Sequence, residues 1–441
     1  MSEFNDRSVA IVGSGPGGMY VAQALLEKAP GCKIDIIDRL PSPFGLIRGG
    51  VAPDHQNTKR VDKKYTQTIT NNNEIRYVGN IALGRDISLE DLTSIYDAVV
   101  LAYGAPYDNK LGIPGEDKEN VYGSNAFVGW YNCHPDFIDL KPNLEINTAA
   151  VIGIGNVAID VARVLSRTPQ EMATTDIADY AMDSIDAASL KYIYMFARRG
   201  PIEAACTNTE LKEMGELEAA TTLVDPNIIP TDLPDNMDDR TKKVRTRILD
   251  TLRLLSKSKA NEKRRTVHIE FYASPIEILG SNKVEGIRME RTKVVNGRCI
   301  GTGETFDIPC EMVITCIGSR AEAIEGIPFN ERNGIVEHTE GRVAPRVYAA
   351  GWVKRGATGT IGTNRLDSYA VTDLLVSDFS GKAKGGPKEM DTFIKGRGLQ
   401  AITFDDWLVI KELEENAAIE PAPRRKFYTV DTMLEALNST R

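Results

Sequence analysis

The chain has 441 residues, a hydrophobic share of 42% and a formal net charge of −9 at pH 7. At ~150 residues per domain, that length predicts two or three domains. The composition is that of a globular protein, no run approaches the ~20 apolar residues of a membrane span, and the negative charge repels nucleic acid.

The six cysteines (Cys32, Cys133, Cys206, Cys299, Cys310, Cys316) form no C-x-x-C. That argues against a disulfide framework, structural zinc, an iron–sulfur cluster and a redox dithiol. Four histidines without paired spacing give no expectation of a metal site. Seven residues, Glu3 and Asp6 among them, precede the first strand-like run, so no signal or transit peptide is expected there and a cytoplasmic location is.

Ser8 to Val12 is an apolar, β-branched run, followed by glycines at 13, 15, 17 and 18, helical spacing from Met19 to Ala29, and a second strand over Lys33 to Ile37. Gly13, Gly15 and Gly18 spell G-x-G-x-x-G in the strand–loop–helix setting that dinucleotide folds require. Gly13 suits the tight turn, Gly15 lets the backbone close on a pyrophosphate, and Gly18 lets helix and strand pack closely. The helix N-terminus offers unpaired N–H groups and a partial positive charge to phosphates. Asp38, twenty residues past Gly18, stands where a carboxylate accepts ribose hydroxyls.

Pro41 to His55 is too rich in Gly and Pro for a helix or central strand, and reads as a loop lining a ligand. Thr58 to Thr70 reads as a helix and Ile75 to Ile81 as a strand. Asp97 to Ala105 and Glu311 to Ser319 are near-twin buried strands ending in small residues. Between them Ala149 to Ala162 repeats the strand–turn–helix form around Gly153, with Ala158 in the third glycine position. The expected fold class is therefore α/β, with two dinucleotide-binding (Rossmann-like) domains, one inserted into the other. The expected limits are 1–105 and 320–441 for the split domain and 106–319 for the inserted one.

The second unit replaces the acid with Arg198-Arg199, directly after the strand Tyr192 to Ala197. Adjacent guanidiniums suit the 2′-phosphate of NADP and leave NAD with unpaired charges. The insertion Thr168 to Leu190 places them further from the glycines than usual, which counts against the assignment. Segment 240–265 holds eleven Lys or Arg against Asp250 and Glu262, a local charge of +9 that leaves −18 on the remainder. It reads equally as a docking site for an acidic partner or as a solvated helix face. Arg346 to Ile361 reads as a strand and a glycine-rich loop (Gly356, Gly359, Thr360), followed by a helix to about Phe379 whose N-terminal dipole would face a flavin. Residues 381–441 read as a loop and helical coat over Trp407–Ala417 and Val430–Leu437.

Taken together, GSGPGG (13–18), PFGLIRGGVAPDH (43–55), FVGWYNCHP (127–135), GIGNVAIDVAR (153–163), ARRGPIEAA (197–205), ELKE (210–213) and GWVKRGATGTIGTN (351–364) resemble the adrenodoxin reductases and bacterial ferredoxin–NADP reductases. The resemblance implies a split FAD domain with an inserted NADP domain, moving electrons from NADPH through FAD to an acidic ferredoxin-like iron–sulfur protein or a flavodoxin. It implies that Gly15, Asp38, Leu46, Ile81, Trp352, Gly359 and Ile361 surround FAD, and Asn156, Val157, Arg198, Arg199 and Glu210 surround NADP. It puts His55 and Glu213 on a catalytic pair beside the flavin, Asp160 on the nicotinamide side, and the basic segment where mitochondrial members receive their partner. Read from the residues alone, His55 is a loop histidine bonded to Asp54 or backbone.

The chain departs from the family pattern at Asp38, where a longer Glu is usual, and at Glu203 and Cys206, which replace an amide and an aromatic. The added charge of Glu203 is expected to weaken NADP binding. Rival readings are a thioredoxin-reductase-like flavoprotein, opposed by the absent dithiol, a glutamate-synthase-type small subunit, opposed by the absent N-terminal cysteine cluster, and a non-catalytic FAD/NADP-sensing module.

Overall fold

The structure is a computed structural model that describes residues 4–259 and 263–440, so Glu3 and Glu262 lie outside the described residues. The chain forms two compact units. One contains residues up to Tyr107, Asn132–Pro135 and Ser319 onward; the other contains Asp108–Tyr131 and Asp136–Gly318. The sequence reading did not include the return of Asn132–Pro135 to the first unit. Its cause is polar: Lys59 and Lys426, both buried, donate to the Asn132 side-chain and backbone carbonyls at 3.1 Å each.

In the first unit, strands Val347–Ala349, Ala98–Leu101, Ser8–Val12, Lys33–Ile37 and Ile75–Val78 lie side by side in parallel. Arg342–Ala344 adds an antiparallel edge. Helix Pro16–Lys28 packs Met19, Val21 and Leu25 on one sheet face beside Leu375, while Leu92 and Met390 cover the other. Both faces are buried, which is why the central strands are near-continuous Val, Ile and Ala.

In the second unit, the parallel order is Val121–Gly123, Met312–Thr315, Thr148–Ile152, Tyr192–Ala197, Arg265–Phe271 and Ala220–Val224. An antiparallel sheet of Ala273–Leu279, Gly286–Val295 and Arg298–Ile308 packs Ile278, Ile287 and Met289 with Phe196 and Ile152.

Several elements differ from expectation. The Gly/Pro-rich loop carries one helical turn, Leu46–Gly49, and the helix over 58–70 is broken into Gln56–Lys59 and Val61–Thr70. After Val347–Ala349 a one-turn helix, Trp352–Arg355, intervenes, and the long helix starts only at Thr363 and ends at Ser377. The short helix is isolated because Gly351 and Gly356 both take positive φ, 75° and 78°. Pro387–Arg397 is an additional helix in the C-terminal coat, beside Phe404–Asn416 and Val430–Asn438. Among the described residues, no helix is long and apolar enough to cross a membrane.

Candidate functional site

Each unit builds the same edge from its own glycine turn. Gly13 has φ +109°, and a Cβ there would stand 2.5 Å from the Ala102 carbonyl oxygen; a Cβ on Gly18 would stand 1.9 Å from the Gly13 oxygen. The fold itself demands both glycines. Gly15 is different. Its φ of −67° suits any residue, and a Cβ there meets nothing within 4 Å among the described residues. It also starts Pro16–Lys28 without a side-chain cap. An open glycine at an uncapped helix N-terminus leaves room and N–H donors for an anion.

The second unit repeats this. Gly153, at φ +136°, would drive a Cβ to 2.4 Å from the Cys316 oxygen, whereas a Cβ on Gly155 meets nothing within 4 Å. Gly155 starts Asn156–Ser166, again with no side-chain cap. Ala158 is fully buried in the third glycine position, and Val157 is 43% exposed. The Asn156 side-chain oxygen accepts from Thr207 N–H at 2.8 Å.

Around Gly15 the first unit arranges its predicted residues as a shell. Asp38 accepts from Ser14 N–H at 3.0 Å and Ser14 hydroxyl at 2.5 Å, and its other oxygen accepts from Leu40 N–H at 3.1 Å. Asp38 is thus already bonded to the turn it was expected to complement, and Ser14 in turn accepts from Phe44 N–H at 2.9 Å. Ile81 is buried, with its N–H on the Asp38 carbonyl at 2.9 Å. Leu46 stays 40% exposed, on a turn whose Gly45 leaves room for Cα of Gly15. His55 precedes the Gln56–Lys59 turn, its N–H on the Ala52 carbonyl.

Three residues that sequence reasoning missed fix the C-terminal side of this shell. Asp367 accepts from Gly351 N–H at 2.6 Å and from Lys354 at 2.7 Å. Buried Asn364 accepts from Arg355 at 2.6 Å, and Ser368 donates to the Gly17 carbonyl at 3.0 Å. Trp352 donates to the Thr358 carbonyl at 3.1 Å, and Thr360 N–H reaches the Thr363 hydroxyl at 3.1 Å, so Gly359 to Ile361 is a pinned loop ahead of the helix. Glu414, fully buried, holds Arg48 through both carboxylate oxygens. That bidentate pair anchors the Gly/Pro-rich loop to the C-terminal coat.

In the second unit Ile152 pairs with Phe196 in parallel register. Gly153 and Arg198 therefore leave the sheet at the same edge, despite the long insertion, which folds as helices Pro169–Met172 and Asp179–Ala187. The backbone there is tied down: Arg198 carbonyl accepts from Thr292 hydroxyl at 2.7 Å, and Arg199 carbonyl from Tyr272 N–H at 3.2 Å. Among the described residues neither guanidinium forms an ion pair, and Arg198 is exposed. Glu203 accepts from Gly200 N–H at 3.1 Å, capping the turn Pro201–Glu203. Burial pushes the Cys206 thiol up to about 11, so it is neutral at pH 7.

The carboxylates Asp160, Glu210 and Glu213 converge on one fully buried guanidinium, that of Arg163. The closest oxygens lie 2.8, 3.4 and 3.0 Å from its nitrogens. His55 belongs to the first unit and Glu213 to the second.

The family model for pyridine nucleotide-disulphide oxidoreductases matches residues 7–233. The mitochondrial NADPH:adrenodoxin oxidoreductase of Arabidopsis thaliana is 37% identical, over 97% of this chain and 95% of that protein. The NADPH-ferredoxin reductase FprA of Mycobacterium tuberculosis is 36% identical, over 97% of this chain and 98% of that protein. A structure of that FprA in complex with NADPH superposes with a TM-score of 0.92 at 34% identity, covering 98% of this chain and 99% of that one. With its glycine turns, paired α/β units and near-full-length relatives, the chain belongs to the pyridine nucleotide-disulphide oxidoreductase family, among the NADPH-dependent adrenodoxin and ferredoxin reductases.

Proposed function

We propose that this protein is a flavin-dependent ferredoxin–NADP+ reductase, with FAD in the split unit (1–105, 320–441) and NADPH in the inserted one (106–319). The observation that carries the reading is the pair of open glycines, Gly15 and Gly155, each at an uncapped helix N-terminus where the protein's own packing makes no demand for glycine. Each is followed at its sheet edge by a different group, Asp38 in one unit and Arg198–Arg199 in the other. A carboxylate suits ribose hydroxyls, and two guanidiniums suit a 2′-phosphate.

When bound, FAD accepts hydride from a dihydronicotinamide at N5 and releases electrons one at a time, chemistry that the side chains do not supply. The chain's part is binding and orientation. Gly13, Gly15, Gly17, Gly18 and the first helix hold the FAD pyrophosphate, with Asp38 toward the ribose and Leu46, Ile81, Trp352 and Gly359 to Ile361 around the rest. Gly153, Asn156 and Val157 hold the NADP pyrophosphate, Arg198 and Arg199 its 2′-phosphate, and Glu210 its ribose side. His55 and Glu213 are assigned the movement of a proton at N5, and Asp160 the charge next to the nicotinamide.

The electron acceptor is a ferredoxin-type iron–sulfur protein. Its acidity, and docking at segment 240–265, are the finer part of this proposal. Six of the eleven basic residues are occupied within the fold: Lys242, Arg245, Arg253, Lys263 and Arg264 are hydrogen-bonded, and Arg265 is buried. That leaves Arg240, Lys243, Arg247, Lys257 and Lys259, all exposed, as the docking face. A cytoplasmic location is also part of the proposal; six free thiols suit a reducing compartment.

NADPH-driven reduction of an acidic [2Fe–2S] ferredoxin, followed anaerobically by its visible absorbance, tests the reading. Turnover that rises with ferredoxin and falls with salt is expected. Flavin that is reduced by NADPH yet passes electrons to neither ferredoxin nor flavodoxin contradicts it.

A further inference from the structure

The segment carrying the arginine pair is tied to the glycine-loop helix through one buried guanidinium, and we propose that Arg163 is a positioning residue for recognition of the NADP 2′-phosphate. The proposal rests on the reading above, in which Arg198 and Arg199 take that phosphate.

Arg163 has no solvent-exposed side chain and sits on Asn156–Ser166, below the open N-terminus at Gly155. It donates to Asp160, one turn earlier on the same helix, at 2.8 Å. Its other terminal nitrogen lies 3.0 Å from Glu213 and 3.4 Å from Glu210. Both glutamates belong to Asn208–Glu213, the short helix that ends the segment begun by Arg198. Thr207 N–H meets the Asn156 side chain at 2.8 Å, so the segment is fastened to the glycine-loop helix at two places. On its far side Arg245 donates to the Ala204 carbonyl at 2.6 Å and Thr251 to the Asn208 side chain at 2.8 Å.

A helix of six residues has no stability of its own in water, so its place depends on such ties. Three half-buried carboxylates gathered at one place repel one another unless a cation sits among them. A planar guanidinium presents five donors in fixed directions on separate nitrogens, whereas an ammonium carries three rotatable donors on one nitrogen and fixes no such spread. Arg163 therefore does more than fill space. It keeps the short helix against its neighbour and, through the chain, keeps Arg198 and Arg199 in place before any nucleotide arrives.

Without that tie, the segment must be ordered during binding, and the cost falls on the ligand whose recognition depends on it. NAD+ lacks the 2′-phosphate; it shares with NADP+ the groups assigned to Glu210 and Asp160 and the helix N-terminus at Gly155, and only NADP+ draws in addition on the arginine pair that begins the segment. NADP+ affinity should thus fall more than NAD+ affinity, although Arg163 touches neither.

The test is calorimetric titration of the FAD-loaded protein with NADP+ and with NAD+, in wild type, Arg163→Lys and Arg163→Met. The expected result is an NADP+ dissociation constant raised about tenfold in Arg163→Met and by a smaller factor in Arg163→Lys, with the NAD+ constant raised less than that of NADP+ in each variant, so that the preference for NADP+ narrows. A role confined to stability would lower Tm and leave the NADP+/NAD+ ratio alone. Should Arg163→Met fail to fold, Arg163→Lys and Glu213→Gln, which removes one carboxylate charge with Arg163 in place, read the same ratio. An unchanged ratio in any folded Arg163 variant overturns the proposal. A wild type that binds NADP+ no better than NAD+ instead overturns the arginine-pair reading on which it stands.

Discussion

The Ser368 hydroxyl donates to the Gly17 carbonyl at 3.0 Å across 351 positions of sequence. This contact joins the first glycine turn to the last long helix, and Asp367, the neighbouring residue, holds Gly351 N–H from the same helix. Gly17 and Gly351 meet backbone to backbone: a Cβ on Gly17 would stand 3.4 Å from the Gly351 Cα. Asp367→Ala leaves that N–H and Lys354 without their acceptor. It should lower stability by about 1–3 kcal/mol and reduce the flavin carried per protein. Thermal melting and the ratio of flavin to protein absorbance measure the two effects.

The glycines divide by cause. Gly13→Ala and Gly153→Ala force a Cβ into a backbone carbonyl at positive φ, so both should be poorly folded with or without ligand. Gly15→Ala and Gly155→Ala meet nothing. They should melt like wild type without nucleotide, yet lose flavin and NADP+ binding respectively. Melting curves of ligand-stripped protein, set against binding titrations, separate the two classes. If Gly15→Ala retained full flavin, Gly15 would not face the pyrophosphate.

His268 stacks on Tyr194, its cross-strand partner, with ring centroids 4.5 Å apart. Burial holds its imidazole below the ordinary value, favouring the neutral ring. The stability it supports is complete above the unfolded value near 6.5 and is lost as pH falls toward and through the lowered folded value. His268→Phe keeps the stack and removes the proton. Its Tm should therefore drop less than that of wild type between pH 7.5 and 5.5, a difference read by melting at each pH.

Reversing charge at Lys243 and Arg247 tests the docking face. The double substitution to Glu should raise KM for an acidic ferredoxin roughly tenfold and flatten its salt dependence. NADPH-driven reduction of ferricyanide, a small acceptor that needs no docking face, should be unchanged. Equal KM values in the two proteins would place the partner elsewhere.

The two strand–loop–helix units were legible in the sequence because their signals are local: β-branched runs, glycines at fixed offsets, then helical spacing. Register is not local. In sequence the arginine pair stands further from its glycines than usual, and only the register makes Ile152 and Phe196 neighbours. Arg163 reads in sequence as a basic residue one turn after Asp160 on a largely apolar helix; Glu210, another of its partners, lies 47 positions on. The basic island was visible as a charge count, but the burial of Arg265 and the backbone partners of Arg245 and Arg253 depend on tertiary packing. The helix Pro387–Arg397 did carry readable signals, Pro387 at its first position and Gly398 at φ +63° after its end.

Anaerobic titration of the purified protein with NADPH, and in parallel with NADH, tests the central claim most directly. The account predicts a yellow protein whose flavin absorbance is bleached by NADPH at concentrations at least about tenfold below those needed with NADH. Colourless protein, or flavin untouched by either nucleotide, would contradict the reductase assignment; equal bleaching by both would keep the reductase and remove Arg198 and Arg199 as readers of the 2′-phosphate.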